Sequence, residues 1–313
     1  MNNPKLIKYG PYLIFLAAML WATDAPFRLQ LTKDLPSSFI VLAEHFVDVL
    51  FVLPFLIINA KQLAKLKIKQ WMAVLTIAIG GSAIATFAFT QAFTYVNPSI
   101  AILLQKLQPL IAIGLAASLL HERTNRYFWR WAVLAIVGAY VISFPNLTPQ
   151  LYVGEQYNPN IIGILLALLA AGLWGASTVL GRYMLASVDF KMMTSLRFVI
   201  AFIFLLIWNV SNSNIQAINS MSSTDIIYIA IIAITSGVVS LYVYYRGLQY
   251  TKASVATLLE LGFPLGAVVV NAIFLKAYLS PMQLVGMAIL LHSVFQLSSL
   301  NATEQPVLKP STT

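Results

Sequence analysis

The sequence contains no cysteine among its 313 residues, and charged side chains are scarce. The absence of cysteine excludes disulfides, thiolate metal sites and a cysteine nucleophile, and it leaves the redox compartment open. Charged residues make up 9% of the chain, whereas a soluble domain has about 25%. Hydrophobic residues make up 59%, which is too many for a polar surface to cover in water. The composition therefore predicts a protein surrounded by lipid.

Two further motifs are absent from the sequence. It has no phosphate-binding loop of the Walker A type and no histidine pair with metal-ligand spacing. The acidic pair Glu44 and Asp48 has no convincing catalytic partner in the sequence. We therefore expect a protein that is not an enzyme, is not driven by ATP bound to this chain, and uses no metal or other cofactor.

Long apolar runs fill most of the chain. A transmembrane helix needs about 20 mainly apolar residues, because the hydrocarbon core is about 30 Å thick and each helical residue rises about 1.5 Å. The runs are continuous, unlike the alternating strands of membrane barrels. The sequence predicts an all-α polytopic membrane protein with ten transmembrane helices. Their expected bounds are 9–29, 37–59, 70–95, 98–120, 127–145, 160–184, 190–210, 224–250, 253–276 and 281–300.

Basic residues are unevenly distributed between alternate loops. Lys and Arg resist translocation, so loops that are rich in them stay in the cytoplasm. With the N-terminus inside, the outer segments hold only Arg28, Lys33 and Lys276, whereas the inner segments hold thirteen basic residues. We therefore expect an integral protein of the bacterial cytoplasmic (inner) membrane with both termini in the cytoplasm. The net charge of +9 then needs no nucleic-acid partner; the expected partners are a small-molecule substrate and the lipid bilayer.

The chain also contains an internal repeat. Residues 16–22 match residues 169–175, and residues 92–101 resemble residues 247–256, at offsets of 153 and 155. Each half has five predicted helices, and an odd number inverts the second half relative to the first. Inverted repeats are common in secondary transporters. The expected divisions are a first repeat over 1–148, an extracytoplasmic linker over 149–159, a second repeat over 160–300 and a disordered cytoplasmic tail over 301–313.

Several short motifs recur in a fixed order along the chain. They are Trp21-Ala22, residues 92–96 running into Pro98-Ser99, Leu107-Gln108-Pro109, residues 119–124 and Trp174-Gly175. Together they resemble the EamA branch of the drug/metabolite transporter (DMT) superfamily over nearly the whole chain. The resemblance implies transport of a small metabolite, often export, without ATP. The chain departs from the family pattern in two places: Arg197 fits the arginine of the second helix but the first half has Glu44, and residues 275–278 lack the family's glutamate.

Several ionisable side chains lie inside predicted helices, where each costs about 2.5–3.5 kcal/mol on insertion scales. Glu44 and Asp48 share a helix face at i, i+4 spacing. Two carboxylates repel in low dielectric when both are ionised, so one is expected to hold a proton, as proton coupling would need. Ion pairing with Lys106 or Arg197 that only locks helices together is the alternative. The predicted proton-coupling candidates are Glu44, Asp48 and Glu260.

The repeat pairs Gln105 with Glu260, and each lies four residues before a proline. A helix proline cannot donate to the carbonyl at i−4, so both carbonyls are left free. Free carbonyls at this depth are tolerated where they line a cavity. We therefore expect the substrate site here, with a plain proline kink as the alternative. The predicted substrate-binding residues are Trp21, Gln105, Lys106, Gln108, Trp174, Arg197, Tyr245 and Glu260.

The predicted function is that of a secondary transporter which moves a small polar metabolite by alternating access. Side chains of both charge signs favour an amino-acid-like zwitterion, the resemblance favours export, and proton coupling is a further hypothesis. Two alternatives stay open: an intramembrane enzyme that uses the acidic cluster, and a non-transporting membrane sensor or assembly factor. The protein is expected to act as a monomer or a homodimer.

Overall fold

The fold is built almost entirely from apolar helices. The computed structural model describes residues 4–119, 127–149, 151–153, 156–185, 187–248, 250–251, 256 and 259–304. Within these residues, seven helices are long and apolar enough to cross a membrane: Tyr9–Leu31, Ser37–Ile58, Ile68–Ala92, Pro98–Leu115, Pro159–Leu185, Phe190–Ser211 and Ser223–Leu248. Three shorter apolar helices accompany them, at Phe128–Ser143, Gly262–Phe274 and Pro281–Gln296. The prediction of an all-α integral membrane protein is thereby confirmed in its class.

The first half begins with two consecutive helices, α1 and α2, that share one apolar membrane segment. Its helices are α1 (Pro4–Trp21), α2 (Ala25–Leu31), α3 (Ser37–Ile58), α4 (Ile68–Leu75), α5 (Ala85–Ala92), α6 (Pro98–Gln105), α7 (Gln108–Leu119) and α8 (Phe128–Ser143), with a 3₁₀ helix over Ala60–Lys65. Asn97 caps α6, since its side chain accepts from the backbone N–H of Ser99. The backbone N–H of Lys106 bonds the carbonyl of Leu103 at 2.9 Å, a tight turn that separates α6 from α7.

The second half starts after a short hairpin in the predicted linker. Strands β1 (Tyr152–Val153) and β2 (Gln156–Tyr157) pair antiparallel. The helices that follow are α9 (Pro159–Leu185), α10 (Phe190–Ser211), α11 (Ser223–Ile232), α12 (Ser240–Leu248), α13 (Gly262–Phe274) and α14 (Pro281–Glu304), with a 3₁₀ helix over Asn214–Ser220. A capping box of Ser222 and Asp225 starts α11.

One π-helical segment interrupts the third long helix of each half. The first π segment (Thr76–Ile84) joins α4 to α5, and the second π segment (Ala233–Val239) joins α11 to α12. The two segments overlap at the repeat offset of 155. Extended π turns are rare and often mark functional sites. The same two helices are therefore deformed at matching places in both halves.

Helix packing follows the repeat. α1 packs on α12, and in the same way α9 packs on α5; α1 also contacts α13, as α9 contacts α6 and α7. α3 packs on α10, and α8 packs on α14. The pair of α1 with α12 is therefore equivalent to the pair of α9 with α5. The pairs α3–α10 and α8–α14 each join two helices that are equivalent in the repeat. The backbones of α8 and α14 lie close together, since a Cβ on Gly138 would lie 2.6 Å from the backbone nitrogen of Leu290.

The two ends and several internal segments of the chain lie partly outside the described residues. Residues 301–304, assigned above to the tail, continue α14, and residues 305–313 lie outside the described residues. Residues 120–126, which hold most of the 119–124 motif together with Arg123 and Arg126, also lie outside them, as does Lys252. For those residues the sequence predictions stand as made.

Candidate functional site

A cavity of about 170 Å³ lies between the two halves of the chain. Nine of the ten predicted site residues line it, while Lys106 does not. Those nine are Trp21, Glu44, Asp48, Gln105, Gln108, Trp174, Arg197, Tyr245 and Glu260. The structure therefore brings together side chains that are up to 239 positions apart in sequence. Whether they bind a substrate stays a prediction.

An ion-pair cluster closes one part of the cavity. Arg28 Nη2 lies 3.2 Å from Asp24 Oδ2, and Nη1 lies 3.0 Å from Glu44 Oε1. Arg28 Nη1 also donates to Thr90 Oγ1 at 2.7 Å. The Arg28 side chain is 4% exposed. It is buried among its partners, and a buried guanidinium is tolerated when it is paired and hydrogen-bonded in this way.

This cluster corrects two sequence predictions. Arg28 was expected in an outer segment, but α2 extends the first membrane segment through Leu31, and the i, i+4 spacing on α2 directs Arg28 to Asp24. The sequence left ion pairing of Glu44 with Lys106 or Arg197 as an alternative, but in the structure Glu44 pairs with Arg28. The reason is that α2 begins at Ala25, with Pro26 in its first turn, directly after the turn that ends α1, and this helix buries Ala25, Arg28 and Leu31 in the protein interior.

Arg197 and Asp48 lack the ion pairs that Arg28 and Glu44 form. Arg197 Nε donates to Ser82 Oγ at 2.6 Å, Nη1 to Tyr245 OH at 3.0 Å and Nη2 to the Gly81 carbonyl at 3.1 Å. Among the described residues, the charge of Arg197 has no carboxylate partner of the kind that Arg28 has. Asp48 is 2% exposed, and among those same residues its Oδ1 has no hydrogen-bond partner.

The two residues before the prolines lie in different polar surroundings. Glu260 Oε1 accepts a hydrogen bond from Tyr244 OH at 2.7 Å. The Glu260 backbone carbonyl was expected to be free, but it accepts from the backbone N–H of Phe263 at 3.1 Å and from Lys106 Nζ at 3.5 Å. Lys106 Nζ also lies 4.7 Å from the centre of the Phe263 ring, which explains why it does not reach the cavity. The buried Gln105 Oε1 has no hydrogen-bond partner among the described residues. Gln105 therefore offers an unused acceptor to the cavity.

Aromatic rings form two matching walls. The ring of Trp21 lies 5.3 Å from that of Tyr244, and the ring of Trp174 lies 5.1 Å from that of Phe89. Trp21 and Trp174 are equivalent in the repeat, and so are Phe89 and Tyr244 at an offset of 155. Trp21 Nε1 donates to Ser240 Oγ at 2.8 Å, so its indole is held in place. Large rigid rings of this kind supply contact area for a flat ligand.

The structure adds residues that the site prediction did not contain. Asp24, Arg28, Phe89, Ser177 and Tyr244 all line the cavity. The repeat register links four of them in two pairs, since Ser177 is the counterpart of Asp24 at an offset of 153, and Phe89 is the counterpart of Tyr244. Arg28 has no charged counterpart, because position 181 is glycine.

The lining can hold a polar molecule that has an apolar ring. It combines four carboxyl groups, two guanidinium groups, two amides and the aromatic walls. Within the described residues, no group of three or more His, Cys, Asp or Glu side chains is arranged to hold a metal ion. Such a mixture of a few polar groups with aromatic side chains is typical of small-molecule sites.

Comparison with known proteins gives consistent matches over both halves. The model of the EamA-like transporter family matches residues 8–144 and again residues 161–299. The riboflavin transporter ImpX of Fusobacterium nucleatum subsp. nucleatum is 30% identical over 304 residues, which are 93% of this chain and 98% of that protein. The uncharacterized transporter YwfM of Bacillus subtilis is 24% identical over 193 residues, 61% of each chain.

A solved crystal structure of a protein is among those that share the fold. It aligns with a TM-score of 0.63 and 16% sequence identity, covering 95% of this chain and 98% of that one. At this identity the match concerns the arrangement of helices.

Proposed function

The chain belongs to the EamA-like transporter family, and we propose that it is a secondary transporter which moves a small polar metabolite by alternating access. The observation that carries this proposal is the cavity between the halves, lined by equivalent residues from both. Alternating access needs a site that two related bundles can expose in turn, and a cavity at the interface of repeats meets that need. The deformed π segments on both sides of the cavity are the natural places for bending.

We further propose that ten helices form two inverted repeats of five. The family model matches the chain twice, which supports repeats over 1–148 and 160–300, a linker over 149–159 and a tail over 301–313. The pairing of α1 with α12 and of α9 with α5 supports the inversion. The loop charges support an inner-membrane location with both termini in the cytoplasm.

Riboflavin is the substrate that we propose first. A relative with 30% identity is named as a riboflavin transporter, and the aromatic walls suit a flat ring system. Gln105 and Gln108 add amides that can bond the polar edge of such a ring. Pockets for drug-sized ligands span about 300–1,000 Å³, so the cavity must widen from its 170 Å³ to admit riboflavin. That requirement fits a transport cycle in which the cavity changes size.

An amino-acid-like zwitterion is the second candidate, and export is its proposed direction. Asp48 and Arg197 support it, because they place one negative and one positive group in the same cavity without ion pairs to each other. A zwitterion would satisfy both charges at once. Proton coupling through Glu44, Asp48 or Glu260 is part of the proposed cycle.

Flux measurements on the purified full chain in liposomes test the proposal. Riboflavin is followed by its fluorescence, unlabelled amino acids are added as competitors, and the pH gradient is imposed or omitted. We expect riboflavin to cross unaltered, faster than in protein-free liposomes. A chemically changed product would favour the intramembrane enzyme. No flux of riboflavin or of any amino acid would contradict the transporter and favour the sensor or assembly factor.

A further inference from the structure

The carboxylate of Asp48 is held against the second π segment. A Cβ added to Gly237 would overlap Asp48 Oδ1, so glycine is what allows the carboxylate to lie there. Asp48 belongs to α3 in the first half, and Gly237 belongs to the second half. The contact therefore joins a titratable group of one half to the deformed helix of the other.

The repeat places a second contact at the equivalent position. Ser82 of the first π segment corresponds to Gly237 at an offset of 155, and Arg197 from α10 donates to Ser82 Oγ at 2.6 Å. Each π segment is thus touched by a charged side chain from the opposite half. Arginine stays protonated in proteins, whereas a carboxyl group can gain and lose a proton. One contact is permanently charged and the other can change its charge.

The charged and titratable groups near Asp48 do not neutralise it. Glu44 and His45 lie on its own helix, Arg197 faces the cavity from α10, and Arg28 is bonded to Asp24 and Glu44. Among the described residues none of them forms an ion pair or a hydrogen bond with Asp48 Oδ1. An ionised carboxylate that is buried in this way carries a large desolvation cost, and a bound proton removes it.

The other two candidates have partners that the buried carboxylate of Asp48 lacks. Glu44 has the guanidinium of Arg28 as a counter-charge within 3.0 Å. Glu260 accepts from Tyr244 OH at 2.7 Å and lies next to Lys106. These groups have fixed partners in the fold. Asp48 is 2% exposed, lines the cavity and, among the described residues, has no ion pair with a cationic side chain.

We propose that Asp48 is the group which binds and releases the coupled proton, and that Gly237 transmits this change to the second π segment. The inference rests on the proposed transport function and specifies its coupling group. When Asp48 loses its proton, the charged carboxylate moves toward water or Arg197 and away from Gly237. When the proton returns, the neutral carboxyl group packs against Gly237 again.

Infrared difference spectroscopy tests the proton site without any substrate. The reconstituted full chain is compared at acidic and alkaline pH, and the C=O stretching band of protonated carboxyl groups is followed. We expect one component of the titrating band to be lost in Asp48→Asn and to persist in Glu44→Gln and in the control Asp34→Asn, an exposed carboxylate whose own band component titrates separately. A band in Asp48→Asn that keeps every component of the wild-type band would overturn the assignment.

Transport of riboflavin tests the coupling in the same liposomes. We expect the pH-gradient-driven part of the flux to fall at least tenfold more than counterflow exchange in Asp48→Asn, while Asp34→Asn responds to the gradient like the wild type. An equal response to the gradient in Asp48→Asn and wild type would refute the coupling role. If the wild type carries no riboflavin, the proposed substrate fails, and the infrared result still decides on Asp48.

The contact with Gly237 has its own test. Gly237→Ala is expected to shift the pH midpoint of the Asp48 band, because the added methyl group pushes the carboxylate away. Gly172→Ala is the matched control, since a Cβ there would have no neighbour within 4 Å. An unshifted midpoint in Gly237→Ala, equal to that of Gly172→Ala, would rule out transmission through this contact.

Discussion

The indole of Trp21 packs on the ring of Tyr244 with 5.3 Å between the ring centres, although 223 positions separate the two residues in sequence. The contact joins α1 of the first half to α12 of the second. Its counterpart in the repeat, Trp174 on Phe89, joins α9 to α5 at 5.1 Å. An aromatic wall on each side of the cavity is therefore built from both halves.

Removing one of the two indoles should weaken riboflavin binding. Aromatic pairs contribute about 0.5–1.5 kcal/mol beyond the area they bury, so Trp21→Ala and Trp174→Ala should each raise Kd roughly twofold to tenfold or more. Quenching of riboflavin fluorescence on titration with purified protein measures this. Trp129→Ala is the control, because Trp129 is 75% exposed. Equal Kd values for all three variants would contradict a role of the walls in binding.

Breaking the Arg28 cluster should destabilise the fold. Arg28→Met leaves two buried carboxyl groups without their counter-charge, and the loss of one partner from a buried ion pair costs about 3–5 kcal/mol. Thermal unfolding of the purified protein in detergent should show a clearly lower Tm. Lys33→Met is the matched control, because Lys33 is exposed and its Nζ donates to the neutral side chain of Gln30. A Tm equal to that of the control would show that the cluster is energetically neutral.

The contact between α8 and α14 should tolerate no added side chain. Gly138→Ala places a Cβ 2.6 Å from a backbone nitrogen of Leu290, and such overpacking costs about 1–3 kcal/mol. Unfolding in detergent should therefore occur at a lower temperature. Gly114→Ala serves for comparison, since a Cβ there has open space. If both alanine variants unfold at the same temperature, the two helices separate more easily than the contact indicates.

The lack of cysteine makes the proposed orientation easy to measure. Single cysteines at the exposed positions Lys61 and Ser213 fall on opposite sides of the membrane if both termini are cytoplasmic. A membrane-impermeant thiol reagent added to intact cells should label Ser213→Cys and should leave Lys61→Cys unlabelled until the cells are lysed. The reverse pattern would show that the loop charges predict the wrong orientation.

Much of the helical architecture follows from local sequence. Apolar runs, the capping residues Asn97 and Ser222, and the repeat through Trp21 and Trp174 all lie within short windows. Hydrophobicity at helical length is a strong signal because lipid leaves the backbone few other ways to satisfy its hydrogen bonds. The π segments carry no such signal, since the residues in them are as apolar as their neighbours.

The site was harder to predict, because it depends on which helices meet. Lys106 has the right depth in sequence, yet it turns toward Phe263 and the Glu260 carbonyl. The charge of Arg28 is typical of a loop residue, but the turn before α2 places its side chain next to Asp24 and Glu44. Both outcomes are set by contacts across the repeat or between neighbouring helices. These contacts cannot be predicted from the hydropathy of a single segment.

The exchange of partners between the halves has a consequence for biosynthesis. α1 packs on α12 and α8 packs on α14, so two helices of the first half meet their main neighbours only after most of the chain has been made. Until then the newly inserted helices present Gly138 and the polar cavity residues to lipid or to helper proteins. A ribosome that stalls midway would leave a half-built bundle without its closing surfaces, and membrane quality control has those surfaces to recognise.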